Sequence, residues 1–151
     1  MIRQAVVAMA LAGPATAQCA DDRVTVFGDF GQARFSVDVA DTPETRARGL
    51  MFVEEMGTLE GMLFIYESPR PATFWMKNTL IPLDMLFVDP SGVITRIHEN
   101  AVPGDLTTID GGPGVLAVLE INGGLSGRLG IAEGDALQHP AFGIDAVRPC
   151  E

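Results

Sequence analysis

The chain has 151 residues, with 10 Lys and Arg against 20 Asp and Glu, and a formal net charge of −10 at pH 7. This length predicts a single domain. So acidic a chain is poorly suited to bind nucleic-acid phosphates or an anionic membrane surface, so neither is expected as a partner.

The first 17 residues have the layout of a secretory signal peptide. Arg3 supplies a positive charge, an apolar run covers residues 5–13, and Ala15-Thr16-Ala17 has the form of an A-x-A cleavage site. A membrane anchor is the alternative, although a spanning helix needs about 20 apolar residues. We therefore expect cleavage near Ala17, a mature domain of residues 18–151, no membrane attachment after cleavage, and a periplasmic or secreted location.

The two cysteines, Cys19 and Cys150, lie at opposite ends of this mature domain. Export implies an oxidising compartment, so we predict a disulfide that joins the two ends. Closing so long a loop contributes about 5 kcal/mol at most in the chain-entropy model. A redox pair is one alternative, but redox cysteines are usually close in sequence. Lipidation of Cys19 is another, which the bulky Gln18 disfavours.

The first half of the domain favours a hairpin followed by a short helix. Residues 24–27 form a β-like run, and residues 33–39 alternate apolar and polar side chains. The glycines between them predict a tight turn, so the two strands are expected to pair. Thr42-Pro43-Glu44 is typical of a helix start and Gly49 of a helix end, which predicts a helix through Arg48.

Apolar runs separated by turns predict the rest of the fold. Residues 62–66 are typical of a strand buried on both faces. Residues 99–114, which contain several Gly and Pro, predict a long surface loop, and residues 125–129 a short helix. Further strands are expected over residues 73–77, 84–88, 93–98 and 115–121, and residues 131–137 are expected to form a turn that leads into a last strand.

About seven or eight strands with one or two short helices predict a mainly β single domain, either a sandwich or a barrel-like fold. A small pseudo-symmetric barrel is the runner-up. The turn at Gly134-Asp135 before an apolar strand also occurs in such barrels.

Residues 74–89 hold the only tryptophan, Trp75, and the only lysine, Lys77. If the two predicted strands in this stretch pair, Lys77 and Asp84 can meet across the turn. One interpretation is a partly buried ion pair that fixes the strand register, since a buried ammonium needs a partner. The other is a binding site in which Lys77 holds an anionic or hydroxyl-bearing ligand, Asp84 orients it and Trp75 forms an apolar wall.

Three more polar residues are expected near this site. Asn78 suits a turn but can also contact a ligand. Arg48 suits the end of a helix but can also hold a carboxylate through two hydrogen bonds. Glu120, unusual inside an apolar strand, either pairs with a cation or lines the pocket. The candidate ligand-binding residues are therefore Arg48, Trp75, Lys77, Asn78, Asp84 and Glu120.

The sequence contains no G-x-S-x-G, H-E-x-x-H or EF-hand motif. A cell-envelope hydrolase with Asp84 or Glu120 as general base is nevertheless an alternative, and His98 is a weaker candidate base. The methionines fit core positions better than Cu(I) sites. No metal, cofactor or catalytic residue is therefore predicted.

Several motifs together resemble one known family. Phe74-Trp75-Met76-Lys77-Asn78-Thr79, followed by Ile81-Pro82-Leu83-Asp84, is similar to the bacterial and archaeal family catalogued as Domain of Unknown Function 192. Further matches lie at residues 48–51, 61–64, 98–103 and 118–124, within a region of roughly residues 33–140. The resemblance implies a compact, mainly β and often exported protein, and it brings no known activity, cofactor or catalytic residue.

These features predict an exported, non-enzymatic module that binds a small saccharide or anion, or that acts as an accessory protein. Aromatic walls with converging polar groups suit such ligands. The sequence identifies no protein partner. A protein-interaction domain that uses the loop over residues 99–114 is a further hypothesis, which an exposed apolar patch beside that loop would support.

Overall fold

The computed structural model describes residues 19–150. The predicted signal peptide and its cleavage site lie outside these residues. The described part contains nine strands and two short α-helices, which confirms the mainly β prediction. The elements are β1 (Arg23–Gly28), β2 (Gly31–Ala40), α1 (Pro43–Arg48), β3 (Glu60–Arg70), β4 (Thr73–Phe74), β5 (Leu83–Val88), β6 (Ile94–Ala101), β7 (Ile109–Asp110), β8 (Val115–Asn122), α2 (Leu125–Leu129) and β9 (Ala136–Gln138).

Seven strands form one curled sheet in the order β6-β5-β8-β3-β2-β1-β9, a half-barrel. The predicted hairpin of β1 and β2 is confirmed as an antiparallel pair, whereas β2 and β3 run parallel. A bridge between Val93 and Ala136 ties the two edges of the sheet together at one point. The strands β4 and β7 form a separate two-stranded sheet.

The two faces of the central strands carry two separate hydrophobic clusters. Leu86 of β5 lies opposite Leu119 of β8, and both belong to the first cluster. The next pair along, Phe87 and Val118, belongs to the second cluster. This is the alternation of side chains expected in a strand. Glu120 follows Val118 by two residues and so faces the same side as the second cluster.

The predicted helix over α1 is confirmed, and its ends show the expected chemistry. The Thr42 hydroxyl accepts a hydrogen bond from the Thr45 amide at 3.1 Å, which satisfies one of the free amides of the first turn. At the other end Gly49 has a φ of 50°, a conformation that favours glycine. The chain then turns to bury Leu50 in the second cluster.

The prediction of a strand over residues 73–77 that pairs with residues 84–88 is wrong. Only Thr73 and Phe74 are extended, and β4 pairs with β7, whereas β5 pairs with β6 and β8. The strand ends because residues 77–78 form a turn, in which Asn78 has a φ of 53°. The predicted long loop over residues 99–114 is partly wrong as well, since it contains the end of β6 and the whole of β7.

The predicted disulfide between Cys19 and Cys150 is confirmed, with the two Cα atoms 5.8 Å apart. His139 adds a second link near the two ends of the domain. Its Nε2 lies 2.8 Å from the Asp21 carbonyl oxygen, and its Nδ1 accepts a hydrogen bond from the Ala141 amide. Within residues 19–150, no helix is long and apolar enough to cross a membrane.

Candidate functional site

A pocket of about 260 Å³ lies over the second hydrophobic cluster, and we call it the Glu120 pocket. One wall comes from α1 and the turn after it, which contribute residues 46–51. The opposite wall comes from β4 and the residues that follow it, and the floor comes from β3 and β8. Four of the predicted ligand-binding residues line this pocket: Arg48, Trp75, Lys77 and Glu120.

Glu120 lies at the floor, where its side chain is surrounded by apolar groups. Glu120 as a whole residue is only 4% exposed. Its direct neighbours across the sheet are Met62 on β3 and Met85 on β5. Within residues 19–150 its carboxyl group forms no ion pair and no hydrogen bond. Burial raises the pKa of Glu120 to about 8, so the carboxyl is mostly protonated at neutral pH.

Tyr66 and Arg46 form a fixed side of the pocket. The Arg46 guanidinium donates to the Ile65 carbonyl oxygen at 2.9 Å and pairs with the Glu67 carboxylate at 3.0 Å. It also lies over the Tyr66 ring, 5.3 Å from the centroid, and Arg70 lies 5.0 Å from the same centroid. Burial raises the pKa of the Tyr66 phenol, and the nearby Arg70 and Arg46 partly oppose this shift.

The mouth of the pocket carries two cations and an aromatic ring. The Lys77 ammonium lies 5.1 Å from the centroid of the Trp75 ring, a cation–π contact. Trp75 is 47% exposed, and Arg48 and Lys77 are exposed too. Neither cation forms an ion pair with a carboxylate in the described part of the chain. Both are therefore free to contact a ligand.

Asp84 does not lie in this pocket, and the predicted meeting with Lys77 is wrong. Asp84 is fully buried. One carboxylate oxygen accepts from the Asn100 and Gly124 amides, both at 2.8 Å. The other accepts from the Ser126 amide at 2.9 Å and from the Ser126 hydroxyl at 2.6 Å. With four donors at hydrogen-bonding distance, Asp84 joins β5 to the end of β6 and to the segment that follows β8 and has a structural role.

Asn78 also lies outside the residues that line the pocket. It occupies the turn after β4, and its carbonyl oxygen accepts a hydrogen bond from the Phe52 amide at 2.9 Å. This contact holds the turn against the segment after α1. Asn78 therefore contributes to the position of Lys77 rather than to the surface of the pocket.

Sequence reasoning missed several residues that line the pocket, chiefly Arg46, Tyr66 and Phe74. Tyr66 is the only tyrosine of the chain, and it ends the apolar run that predicted β3, where a polar tip facing a cavity is a usable signal. Phe74 packs edge-on against Phe64, with centroids 5.1 Å apart. That contact depends on the path of β4, which the sequence pattern did not reveal.

Two further features of the surface bear on other roles. Val102 and Leu106, in the loop between β6 and β7, are 60% and 62% exposed. In residues 19–150, no group of three or more His, Cys, Asp or Glu side chains is arranged to hold a metal ion.

Comparison with known proteins identifies the family of this chain. The family model of DUF192, described as "Uncharacterized ACR", matches residues 25–139. The chain belongs to the DUF192 family. The match includes every lining residue discussed above. No curated protein matches the chain.

Two crystal structures of similar proteins share the fold. One is a protein of unknown function from Novosphingobium aromaticivorans DSM 12444, 49% identical over 76% of this chain and 82% of that one, with a TM-score of 0.75. The other, from Sinorhizobium meliloti 1021, is described as a "putative transcription regulator" and is 41% identical over 83% of this chain and 98% of that one, with a TM-score of 0.77.

Proposed function

We propose that this DUF192 protein binds a small anionic molecule, such as an acidic saccharide, in the Glu120 pocket and does not transform it. The observation that carries this proposal is Glu120 itself. A buried carboxyl group normally has a hydrogen-bond partner, and burying one without a partner costs stability. Glu120 forms no hydrogen bond with residues 19–150. Since no fully buried side-chain oxygen in this part of the chain lacks a partner, the carboxyl oxygens of Glu120 open onto the pocket that the residue lines. A bound molecule would supply that partner.

The charges at the mouth favour an anion. Although the net charge of the chain is −10, the exposed side chains that line the mouth include Arg48 and Lys77 and no ionised carboxylate. A guanidinium can hold a carboxylate through two parallel hydrogen bonds. Trp75 offers an apolar ring face beside these cations, which suits the apolar face of a sugar ring.

The size of the pocket favours a small ligand. Its volume of about 260 Å³ lies just below the range of roughly 300–1,000 Å³ that is common for small-molecule sites. The pocket therefore suits a monosaccharide or a short organic acid better than a polymer. The net charge of −10 disfavours binding of this chain to nucleic-acid phosphates, although the Sinorhizobium relative is described as a putative transcription regulator.

A thermal-shift screen of the mature protein tests the proposal. The panel contains sugar acids, neutral sugars, organic acids and phosphate, and the variant is Arg48→Gln. The matched control is Arg34→Gln, because Arg34 is an exposed arginine on β2 that does not line the pocket. An acid that stabilises the wild type and Arg34→Gln but not Arg48→Gln supports the proposal. Equal shifts in both variants would contradict it.

A hydrolase that uses Glu120 is the second candidate, and the pKa of Glu120 favours it. A carboxyl with a pKa of about 8 can donate or accept a proton at neutral pH. Most glycosidases, however, use two carboxyl groups, and Glu120 is the one carboxyl among the described residues that line the pocket. Incubation of any stabilising glycoside with the protein, followed by mass spectrometry, separates binding from cleavage: intact ligand supports binding, and a released product supports the hydrolase.

Export to the periplasm or the cell exterior is part of the same proposal. The Cys19–Cys150 disulfide is the type of bond that persists in an oxidising compartment. The signal-like segment of residues 1–17 agrees with this location. Fractionation of cells that express the full chain, with the mass of the mature protein measured, tests both the location and cleavage near Ala17.

A further inference from the structure

The surroundings of Glu120 limit the form in which its carboxyl group can meet a ligand. The residues directly opposite it on both neighbouring strands are methionines, Met62 and Met85. The second hydrophobic cluster, with Phe64 and Phe87, lies on the same face of the sheet. Among residues 19–150, no polar group donates a hydrogen bond to the Glu120 carboxyl that would stabilise a negative charge on it.

The charged and titratable groups that share the pocket lie on other elements. They are Arg46 and Arg48 on α1, Tyr66 on β3, and Lys77 after β4. Arg46 is already paired with Glu67, and Lys77 lies against the Trp75 ring. None of the four forms an ion pair or hydrogen bond with Glu120. The pocket therefore has a cationic mouth and a separate carboxyl floor.

Resting on the proposed function, we infer that Glu120 meets the ligand as a neutral carboxylic acid that donates a hydrogen bond. The pocket then selects molecules with an anionic group at one end and an uncharged oxygen acceptor at the other. Sugar acids and hydroxy acids have this form. Molecules that carry an ammonium group instead of the anion are rejected, because the mouth repels them and the floor offers no charge to pair with them.

The titration of Glu120 agrees with this geometry. Burial raises the pKa of Glu120 to about 8, so the donor form prevails up to that pH. Above it the floor gains a negative charge in a pocket that holds an anion. Affinity for an anionic ligand should therefore fall by about tenfold between roughly pH 6 and pH 9, where about nine-tenths of the group is ionised.

Three probes with the same pyranose ring test the inference: D-glucuronate, D-glucose and D-glucosamine. Trp75 is the only tryptophan of the chain and lines the mouth, so its fluorescence reports binding, with titration calorimetry as a second readout. Each probe is titrated at about pH 6 and about pH 9. The variant Glu120→Gln keeps a hydrogen-bond donor that does not titrate.

We expect glucuronate to bind at least about tenfold more tightly than the other two probes at the lower pH. We also expect its roughly tenfold loss of affinity at the higher pH to disappear in Glu120→Gln, whose side chain does not titrate. Tighter binding of glucosamine, or the same pH dependence in Glu120→Gln, would overturn the inference but leave a binding pocket in place. No fluorescence change and no heat with any of the three probes would overturn the proposed function itself.

Discussion

Replacement of Asp84 by asparagine is predicted to destabilise the protein strongly. The change is nearly isosteric and removes one charge from a fully buried site. The oxygen that accepts from the Asn100 and Gly124 amides can be kept as the amide oxygen of the new side chain. An NH₂ group replaces the second oxygen and lies opposite the Ser126 amide at the 2.9 Å contact. Two hydrogen-bond donors then face each other.

The expected loss follows from these contacts. One buried amide left without an acceptor costs about 1–3 kcal/mol, and the two retained bonds lose the extra strength that a charged acceptor gives them. The Ser126 hydroxyl can rotate and accept from the new NH₂ group, so its bond adds no further loss. We therefore expect a fall in unfolding free energy of about 2–4 kcal/mol, equivalent to a fall in melting temperature on the order of 10 °C.

Urea unfolding followed by circular dichroism measures this loss. Ser126→Ala is the matched control, since it keeps the Ser126 amide and removes only the hydroxyl contacts, at 2.6 Å to Asp84 and 3.3 Å to Glu99. It should cost about 1 kcal/mol. In the folded Asp84→Asn protein, ligand affinity should equal that of the wild type. A loss of unfolding free energy below about 1 kcal/mol, or a loss of ligand affinity with unchanged stability, would refute the structural role of Asp84. The second result would also mean that Asp84 contributes to ligand binding.

Three other predictions concern stability. Because burial lowers the pKa of His139, the stabilisation that the neutral ring provides is complete above its unfolded pKa of about 6.5 and is lost as the pH falls. His139→Gln should remove this part of the acid sensitivity in pH-dependent urea melts. Because the pKa of Glu120 rises from 4.5 to about 8 on folding, the free energy of unfolding should fall as the pH rises through that window. At neutral pH it should be about 3 kcal/mol lower than at acidic pH, and Glu120→Gln should flatten this dependence of stability on pH. Reduction of the Cys19–Cys150 disulfide should lower the unfolding free energy by up to about 5 kcal/mol in denaturant titrations.

Each of these predictions has a result that contradicts it. If His139→Gln loses stability at low pH as the wild type does, the two hydrogen bonds of the wild-type His139 ring do not hold it in the neutral form. The same pH dependence of stability between roughly pH 5 and pH 8 in the wild type and in Glu120→Gln would mean that Glu120 is already ionised in the folded protein across that range. Equal melting curves before and after reduction would show that the disulfide does not constrain the unfolded chain.

Patterns within single segments predicted much of the fold. The alternation over residues 33–39 identified β2, and Thr42 and Gly49 marked the two ends of α1 correctly. The short helix over residues 125–129 was also predicted with its observed bounds. In each case the deciding interactions lie within a few residues of one another, which is the range that periodicity and capping describe.

The pairing of distant segments could not be predicted in the same way. Asp84 and Glu120 look alike in the sequence, since each is a single carboxylate in an apolar run. They differ because the amides of Gly124 and Ser126, about 40 positions along the chain, converge on Asp84, whereas methionines flank Glu120. The same non-local effect shortened β4, whose partner is β7 rather than β5.

The most direct test of the binding site is a crystal structure of the mature protein grown with a saturating concentration of D-glucuronate. We expect the carboxylate to lie at the mouth with Arg48 and Lys77, the ring to pack on Trp75, and an oxygen of the sugar to accept a hydrogen bond from Glu120. A sugar bound elsewhere, or an empty Glu120 pocket at that concentration, would contradict this expectation.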